Sequence, residues 1–336
     1  MQFSFLRNTV ANGRTAIVLV GAVLGVAQFR HPTRRAPLAP FANARLSAGP
    51  SLDAFGASRE LKLRFALPGK GIEFPLEVTG DPAALSYQWI PLRDSGAAEP
   101  EKSVNGAEFV APEHPGFYHL AILRGTERQI IEQPTLAVMV PFEQKVGGML
   151  NGYRIGTYIA DRLSGHDHPA GFLQVAESDL GLKVSTHLRL GDFVTHDGQK
   201  DVWPKYIALN PRILDKLELV LAKIGSKARV TGTGGEQQEL AFDVHSGFRT
   251  PAHNAGVRRS ARDSRHQYGD AADVAIDADG DGKVTLKDEK AVATAVDEVE
   301  GEFPDLVGGL GLYTSRRYRT PYVHIDARGK RSRWKG

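Results

Sequence analysis

A chain of 336 residues exceeds the usual size of one hydrophobic core, so we expect two globular domains with extensions. The apolar fraction of 41% and the charged fraction of 24% argue against a disordered chain and against one with many membrane spans. The net charge of +3 is too small to indicate nucleic-acid binding. The chain has no cysteine, which excludes thiolate catalysis, disulfides and cysteine-bound zinc. Any metal ligand must therefore be histidine, aspartate or glutamate.

Residues 1–29 have the pattern of an export signal. Arg7 and Arg14 precede an apolar stretch at residues 16–27. This stretch is shorter than the ~20 residues that a membrane-spanning helix needs, which favours a cleaved signal peptide. Arginines also follow the stretch, so a retained anchor in the inner membrane stays the alternative. Both alternatives predict an exported protein.

The next two regions are predicted to be a linker and a β domain. Residues 30–57 are rich in proline and alanine and lack periodicity, which is typical of a linker. Residues 58–143 alternate apolar and polar positions between turn signals, as in residues 61–67 and 86–90. About six or seven such strands predict an all-β immunoglobulin-like sandwich. It carries no catalytic cluster, so we interpret it as a spacer or binding module.

The pattern changes to mixed helices and strands at residues 147–330, which predicts an α+β domain. Asn210 can cap a helix that opens with Pro211 and ends near Gly225. An alternating strand that includes Phe242 and Val244 follows. The basic residues 331–336 are expected to form a solvated tail.

This second domain contains a set of metal-ligating residues, His266, Asp273 and His324. Catalytic Zn²⁺ takes three nitrogen or oxygen ligands and keeps one open position, and two histidines with one carboxylate are an established set. The loop from His266 to Asp273 contains a glycine and two alanines, which let the backbone turn closely. His324 lies on a predicted strand, where Asp326 projects from the same face.

Three motifs extend this set into a resemblance to a known family. They are Ser-Gly-Phe-Arg-Thr-Pro at 246–251, Ser-x-His-x-x-Gly-x-Ala-x-Asp at 264–273, and Val-His-Ile-Asp at 323–326. In this order they resemble the zinc D-Ala-D-Ala metallopeptidases, which include D,D-carboxypeptidases and murein endopeptidases. The resemblance spans roughly residues 147–328. It implies an α+β fold that is shared with hedgehog signalling domains.

The resemblance also implies the chemistry of the site. His266, Asp273 and His324 match the zinc ligands of the family. Arg249 matches the cation that stabilises negative charge on the scissile carbonyl during metal-assisted hydrolysis. A structural ion-pair role is the alternative for Arg249.

The general base departs from the family pattern. Many relatives carry an acid three residues before the last histidine ligand, where this chain has Pro321. We predict Asp326 as the substitute, because it shares a strand face with His324. The alternative is that Asp326 orients a ligand.

Residues 277–288 predict a second metal site, for Ca²⁺. Oxygen-bearing side chains occupy loop positions 1, 3, 5, 9 and 12, and glycine occupies position 6, as in EF-hand loops. Position 12 is aspartate, as in dockerin loops. We expect a structural role in bracing Asp273, and a solvated acidic loop is the alternative. The predicted ligands are Asp277, Asp279, Asp281, Lys283 through its carbonyl, Thr285 and Asp288.

Together these features predict an exported zinc and calcium protein of the periplasm or cell envelope. We expect it to hydrolyse D-amino-acid-containing bonds in peptidoglycan stem peptides, as a carboxypeptidase or an endopeptidase, with no nucleic-acid partner. One alternative is a catalytically silent zinc-containing module that binds the cell wall, which Pro321 favours. Another is a peptidase that acts on ordinary proteins.

Overall fold

The computed structural model describes most of the chain. The described residues are 42–44, 55–74, 76–78, 84–93, 100–103, 108–230, 240–314 and 320–336. The chain divides into two units, residues 1–39 and residues 40–336, and every described residue belongs to the second. The predicted export signal at 1–29 lies outside the described residues. Across the described ranges, no helix combines the length and the hydropathy that a bilayer crossing requires.

The first part of the described chain is β structure. A five-stranded sheet has the order β2-β9-β8-β5-β6, in which only the pairing of β2 with β9 is parallel. Two smaller pairs, β1 with β4 and β3 with β7, are antiparallel. The immunoglobulin-like assignment stays a prediction. The strands are β1 (Ala42–Ala44), β2 (Leu63–Ala66), β3 (Gly71–Glu73), β4 (Leu76–Val78), β5 (Ser86–Pro91), β6 (Lys102–Ser103), β7 (Glu108–Val110), β8 (Gly116–Arg124) and β9 (Glu127–Val138).

Aromatic side chains fill the core of this β region. Trp89 meets Phe74 and Phe109 edge to face, with ring centroids 5.7 and 6.3 Å away. The indole Nε1 of Trp89 donates a hydrogen bond to the carbonyl of Val110 at 2.8 Å, so its one polar atom is satisfied. The alternation of apolar and polar residues in the sequence thus directs these rings into the buried core.

Between this region and the second five-stranded sheet, the chain forms several short strands. Strands β10 (Val140–Pro141), β13 (Gly171–Val175) and β14 (Lys205–Ile207) form an antiparallel sheet in the order β10-β13-β14. Strands β11 (Met149–Leu150) and β12 (Tyr153–Arg154) form a hairpin.

The second five-stranded sheet carries the candidate site. Its order is β15-β16-β18-β17-β19, and only β17 and β19 are parallel. The strands are β15 (Phe242–Ser246), β16 (Ala271–Ile276), β17 (Gly309–Tyr313), β18 (Tyr322–Asp326) and β19 (Ser332–Lys335). The helices are α1 (Pro211–Val230), α2 (Pro251–Asn254) and α3 (Leu286–Glu302).

Helix α3 packs against strands β16, β17 and β18 of this sheet, and helix α1 packs against α3. Asn210 caps α1 as predicted, because its side chain accepts a hydrogen bond from the Arg212 N–H at 3.0 Å. The helix runs past the predicted end at Gly225 to Val230, since a single glycine costs a helix only about 1 kcal/mol relative to alanine. The buried stripe of α1 is the predicted one, namely Ile213, Leu214, Leu217, Val220, Leu221 and Ile224.

One hydrophobic core joins the two predicted domains. Leu63 of β2 and Phe117 of β8 belong to the same buried cluster as Leu217 of α1 and Val296 of α3. A second cluster, which includes Trp89, is confined to the β region. The predicted boundary between residues 143 and 147 is therefore crossed by continuous apolar packing.

The C-terminal residues form a strand instead of the expected solvated tail. Strand β19 pairs in parallel with β17. The Arg333 guanidinium forms ion pairs with Glu300 and, at 2.7 Å, with Asp297. The two arginines of this segment, Arg331 and Arg333, thus have acidic partners on α3, and these partners hold the segment in place.

Candidate metal centre

The structure brings His266, Asp273 and His324 together in one buried group. Asp273 in β16 and His324 in β18 are directly opposite each other on these two adjacent antiparallel strands. The Nδ1 atom of His324 lies 2.9 Å from Asp273 Oδ1, and the Nε2 atom of His266 lies 3.2 Å from the same oxygen. The two ring nitrogens are 3.1 Å apart. The three residues are 2%, 6% and 6% exposed, so water does not screen their ligand atoms.

A glycine positions His266 beside the sheet. His266 lies in a short 3₁₀ turn, Arg265–Tyr268, which Gly269 ends with a φ of 70°. A Cβ atom at Gly269 would lie 2.2 Å from the carbonyl oxygen of Ala208. Only glycine combines this left-handed conformation with such a close approach. The chain can therefore leave the turn directly into β16, which brings Asp273 to the His266 ring.

The outer nitrogens of both rings are held by acceptors. His266 Nδ1 lies 2.6 Å from the carbonyl oxygen of Gly247, and His324 Nε2 lies 3.2 Å from Asp326 Oδ2. Each outer nitrogen therefore carries the hydrogen, because a carbonyl and a carboxylate only accept. In the neutral rings, the inner nitrogens then present lone pairs toward each other and toward Asp273. Such a convergence of acceptors fits a cation.

The three ligand groups shift one another's pKa values. Burial opposes charge on Asp273, but His266 and His324 outweigh it and hold the pKa of this carboxyl well below its usual range. Burial lowers the pKa of His266. Burial also acts against charge on His324, but hydrogen bonds to Asp273 and Asp326 raise the pKa of this ring overall. His324 is thus the place where a proton would replace a metal ion.

Arg249 lies at the edge of the group. Its Nε donates to Ser246 Oγ at 2.7 Å, and its guanidinium pairs with Asp273 Oδ2. The other carboxylate oxygen, Oδ1, faces the two histidines. The side chain of Arg249 is 15% exposed, so its charge is only partly screened.

Asp326 lies behind His324, on the side away from Asp273. It is fully buried, and it accepts hydrogen bonds from Gly309 N at 2.7 Å and from Arg328 Nε at 2.9 Å. Burial opposes its charge, yet His324 and Arg328 hold the pKa of Asp326 far below its usual range. A carboxylate in this place does not suit the predicted general base. It suits the alternative, a residue that orients His324.

Trp334 was not among the predicted site residues. Its indole lies beside the His324 imidazole, with ring centroids 5.1 Å apart. On the same face of the sheet, Tyr313 and Tyr322 stack in parallel at 4.6 Å. No local motif marks Trp334, and the only signal in the sequence is its spacing within a short basic segment.

The structure groups part of the predicted calcium loop. One carboxylate oxygen from each of Asp277, Asp279 and Asp281 lies within 4.8 Å of the others. Asp288 accepts from Ala278 N at 2.9 Å, and with Thr285 it forms the capping box of α3. The N–H of Lys283 donates to Asp281 at 2.8 Å. The first three predicted ligands are therefore together. Of the other three, Lys283 lies in the loop, Thr285 caps α3 and Asp288 lies in its first turn.

A comparison of the chain with models of known protein families and with curated proteins found no match. The chemical interpretation of the metal centre therefore rests on the arrangement of its own residues. Three features define that arrangement. They are a buried group of two imidazoles and one carboxylate, acceptors behind both rings, and a guanidinium beside the carboxylate.

Proposed function

We propose that this protein is an exported zinc metallopeptidase that hydrolyses D-amino-acid-containing bonds in the stem peptides of peptidoglycan. The observation that carries the proposal is the buried group of His266, Asp273 and His324, with ligand atoms 2.9 to 3.2 Å apart. Two imidazoles and one carboxylate are an established ligand set of catalytic zinc. The substrate class is supported by the resemblance of the three sequence motifs.

The fit to zinc depends on which ring nitrogens carry hydrogen. Gly247 and Asp326 occupy the outer nitrogens of His266 and His324, so the lone pairs of neutral rings point into the group. When bound, Zn²⁺ acts as a Lewis acid that polarises the scissile carbonyl and activates water. The group is buried, so few waters compete for the ligand atoms.

Arg249 is proposed as the residue that stabilises negative charge on the reacting carbonyl oxygen. Its charge is permanent, and its planar fork can donate to two oxygen atoms. The contact with Asp273 holds the guanidinium next to the ligand group. A fixed donor of this kind stabilises charge as it develops and needs no rearrangement at that moment.

Ca²⁺ in the loop at 277–288 is proposed as a structural partner of the site. Asp277 directly follows β16, the strand that carries Asp273. Asp277 is 5% exposed, and it accepts hydrogen bonds from Gly280 N at 2.9 Å and Gly282 N at 2.8 Å. A cation among Asp277, Asp279 and Asp281 would offset the repulsion of their charges and fix the end of β16.

A catalytically silent, zinc-containing module that binds the cell wall is the second candidate. The observation that favours it is the position of Asp326, which is buried behind His324 and paired with Arg328. Position 321 also carries proline where relatives carry an acid. This candidate predicts a full complement of zinc without turnover.

The test is digestion of purified peptidoglycan, with products separated by mass and the zinc content measured in parallel. We expect the wild-type protein to release defined muropeptides and His266→Ala to release none. Wild-type protein that is loaded with zinc and releases nothing would contradict the peptidase and favour the silent module.

A pair of synthetic stem peptides tests the substrate class. The two peptides differ only in the configuration of the residue before the scissile bond. We expect cleavage of the D-configured peptide alone. Equal cleavage of both, or preference for the L-configured peptide, would indicate a peptidase that acts on ordinary proteins.

A further inference from the structure

The last strand of the chain places Trp334 beside a proposed metal ligand. Strand pairing sets Trp334 opposite Gly311, and Gly311 is in turn opposite His324. Residues paired in this way project from the same face of a sheet. The indole of Trp334 therefore reaches across Gly311 to the imidazole, with ring planes 48° apart and centroids 5.1 Å apart.

Gly311 provides the space for this contact. A Cβ atom at this position would lie 2.4 Å from both Cε2 and Nε1 of Trp334. No side chain fits at such a distance unless the indole moves. Glycine at position 311 and tryptophan at position 334 are thus matched to each other, and the match brings the indole to His324.

The indole is held in place independently of His324. Its Nε1 donates a hydrogen bond to the hydroxyl of Tyr313 at 3.1 Å, and the Arg328 guanidinium lies 5.8 Å from its ring centroid. The neighbouring Arg333 donates to the carbonyl of Gly308 at 2.9 Å and pairs with Glu300. After Trp334, the N–H of Gly336 donates to the carbonyl of Leu312 at 2.9 Å. The strand is therefore anchored on both sides of Trp334, which fixes the position of the indole.

We propose that Trp334 is a positioning residue of the metal centre. Its indole packs against His324, while Asp326 holds the Nε2 atom of that ring. The two contacts together keep Nδ1 directed at Asp273 and His266. The inference rests on the zinc site of the proposed function and is independent of the substrate. It makes the C-terminal strand a part of the site.

The test measures Zn²⁺ affinity of the full chain by competition with a chromogenic chelator. We expect Trp334→Ala to bind Zn²⁺ roughly tenfold more weakly, as is typical when a contact that orients a ligand is removed. Trp334→Phe keeps a ring against His324, so we expect it to stay within about threefold of wild type. Lys335→Ala is the matched control, because the adjacent side chain projects from the opposite face of the sheet. Its affinity should not change.

A double-mutant cycle separates positioning from a general loss of stability. Gly311→Ala should also weaken Zn²⁺ binding roughly tenfold, because the new methyl group displaces the indole. In the Trp334→Ala background it should add no further loss, since the two changes act through one contact. Circular dichroism of each variant verifies the fold.

The outcomes distinguish this inference from the proposed function. Trp334→Ala that binds Zn²⁺ as tightly as wild type, or losses that simply add in the double variant, would overturn the inference alone. Wild-type protein that binds Zn²⁺ and releases no muropeptide would overturn the proposed peptidase alone.

Discussion

The orientation of single side chains decides the chemistry of the proposed metal centre. The rings of His266 and His324 are each fixed from behind, by Gly247 and Asp326. Arg249 is fixed by Ser246 and Asp273. Residues with fixed orientations lose little entropy when they bind a metal ion or a reacting group. Substitution of Asp326 therefore tests the orientation of a ligand, and substitution of Arg249 tests the stabilisation of charge.

Asp326→Asn should weaken Zn²⁺ binding by about 10- to 100-fold, because a neutral amide holds the His324 Nε2–H less strongly than a carboxylate. Competition with a chelator measures this, and Asp305→Asn on the exposed surface serves as the control. Unchanged zinc affinity with lost turnover would contradict the orienting role and restore Asp326 as the general base.

Arg249→Met should lower kcat by about 10²- to 10³-fold, because it removes a charged donor from the developing oxyanion. KM should change little, since the contact strengthens in the transition state. Steady-state kinetics on a defined stem peptide measures both constants, with Arg262→Met as an exposed control. Loss of bound zinc, with normal turnover when zinc is restored, would instead identify an ion-pair partner of Asp273.

At the scale of elements, strand β16 connects the two proposed metal sites. Asp273 lies within this strand, and Asp277 follows its last residue. The loop then leads into α3, where Thr285 and Asp288 form the capping box. Helix α3 packs against α1, and the buried Lys216 of α1 pairs with Glu300 of α3 at 2.8 Å. The acidic loop thus lies between the strand that carries Asp273 and helix α3.

Calcium should therefore stabilise the fold. At a concentration of 100 times Kd, Ca²⁺ should add about 2.7 kcal/mol to the free energy of unfolding and raise Tm. The measurement is thermal unfolding of His266→Ala with and without Ca²⁺, so that occupancy of the zinc site does not contribute. Asp281→Ala in the same background should lose the response. A Tm that is independent of Ca²⁺ would show that the loop is a solvated acidic turn.

At the scale of the whole molecule, one large hydrophobic core joins the β region to the region that carries the proposed site. The cluster that contains Leu63 of β2 also contains Leu217 of α1. Side chains from the β region and from the region that carries the site therefore belong to one apolar cluster. Because the core is shared, unfolding of one part exposes apolar surface of the other. The shared core therefore predicts that the two regions unfold together.

Calorimetry should show a single cooperative transition for the described regions. Leu63→Ala and Leu217→Ala should each lower the stability of that one transition by about 2–5 kcal/mol, because each opens a cavity in the shared core. Leu163→Ala, at a position that is 57% exposed, should change it by less than about 0.5 kcal/mol. Two separate transitions, of which Leu63→Ala shifts only one, would indicate independent domains.

Features that depend on local spacing were predictable from the sequence alone. The β alternation near Trp89, the buried stripe of α1 and the cap at Asn210 follow from periodicity and capping chemistry. The grouping of Asp277, Asp279 and Asp281 follows from loop positions that are two residues apart. His266 and Asp273 are separated by a short turn. The choice of these residues with His324 follows from the resemblance of the three motifs, and it agrees with the ligands that zinc accepts.

Only the tertiary structure decided the features that depend on partners distant in the chain. Asp326 faces away from Asp273 because Gly309 and Arg328 hold it behind His324, and strand periodicity cannot reveal such partners. Trp334 reaches His324 because parallel pairing aligns β19 with Gly311. The sequence by itself determined which residues are available to bind a metal. Long-range pairing and packing decided which of their atoms face one another, because these contacts join segments that share no local pattern.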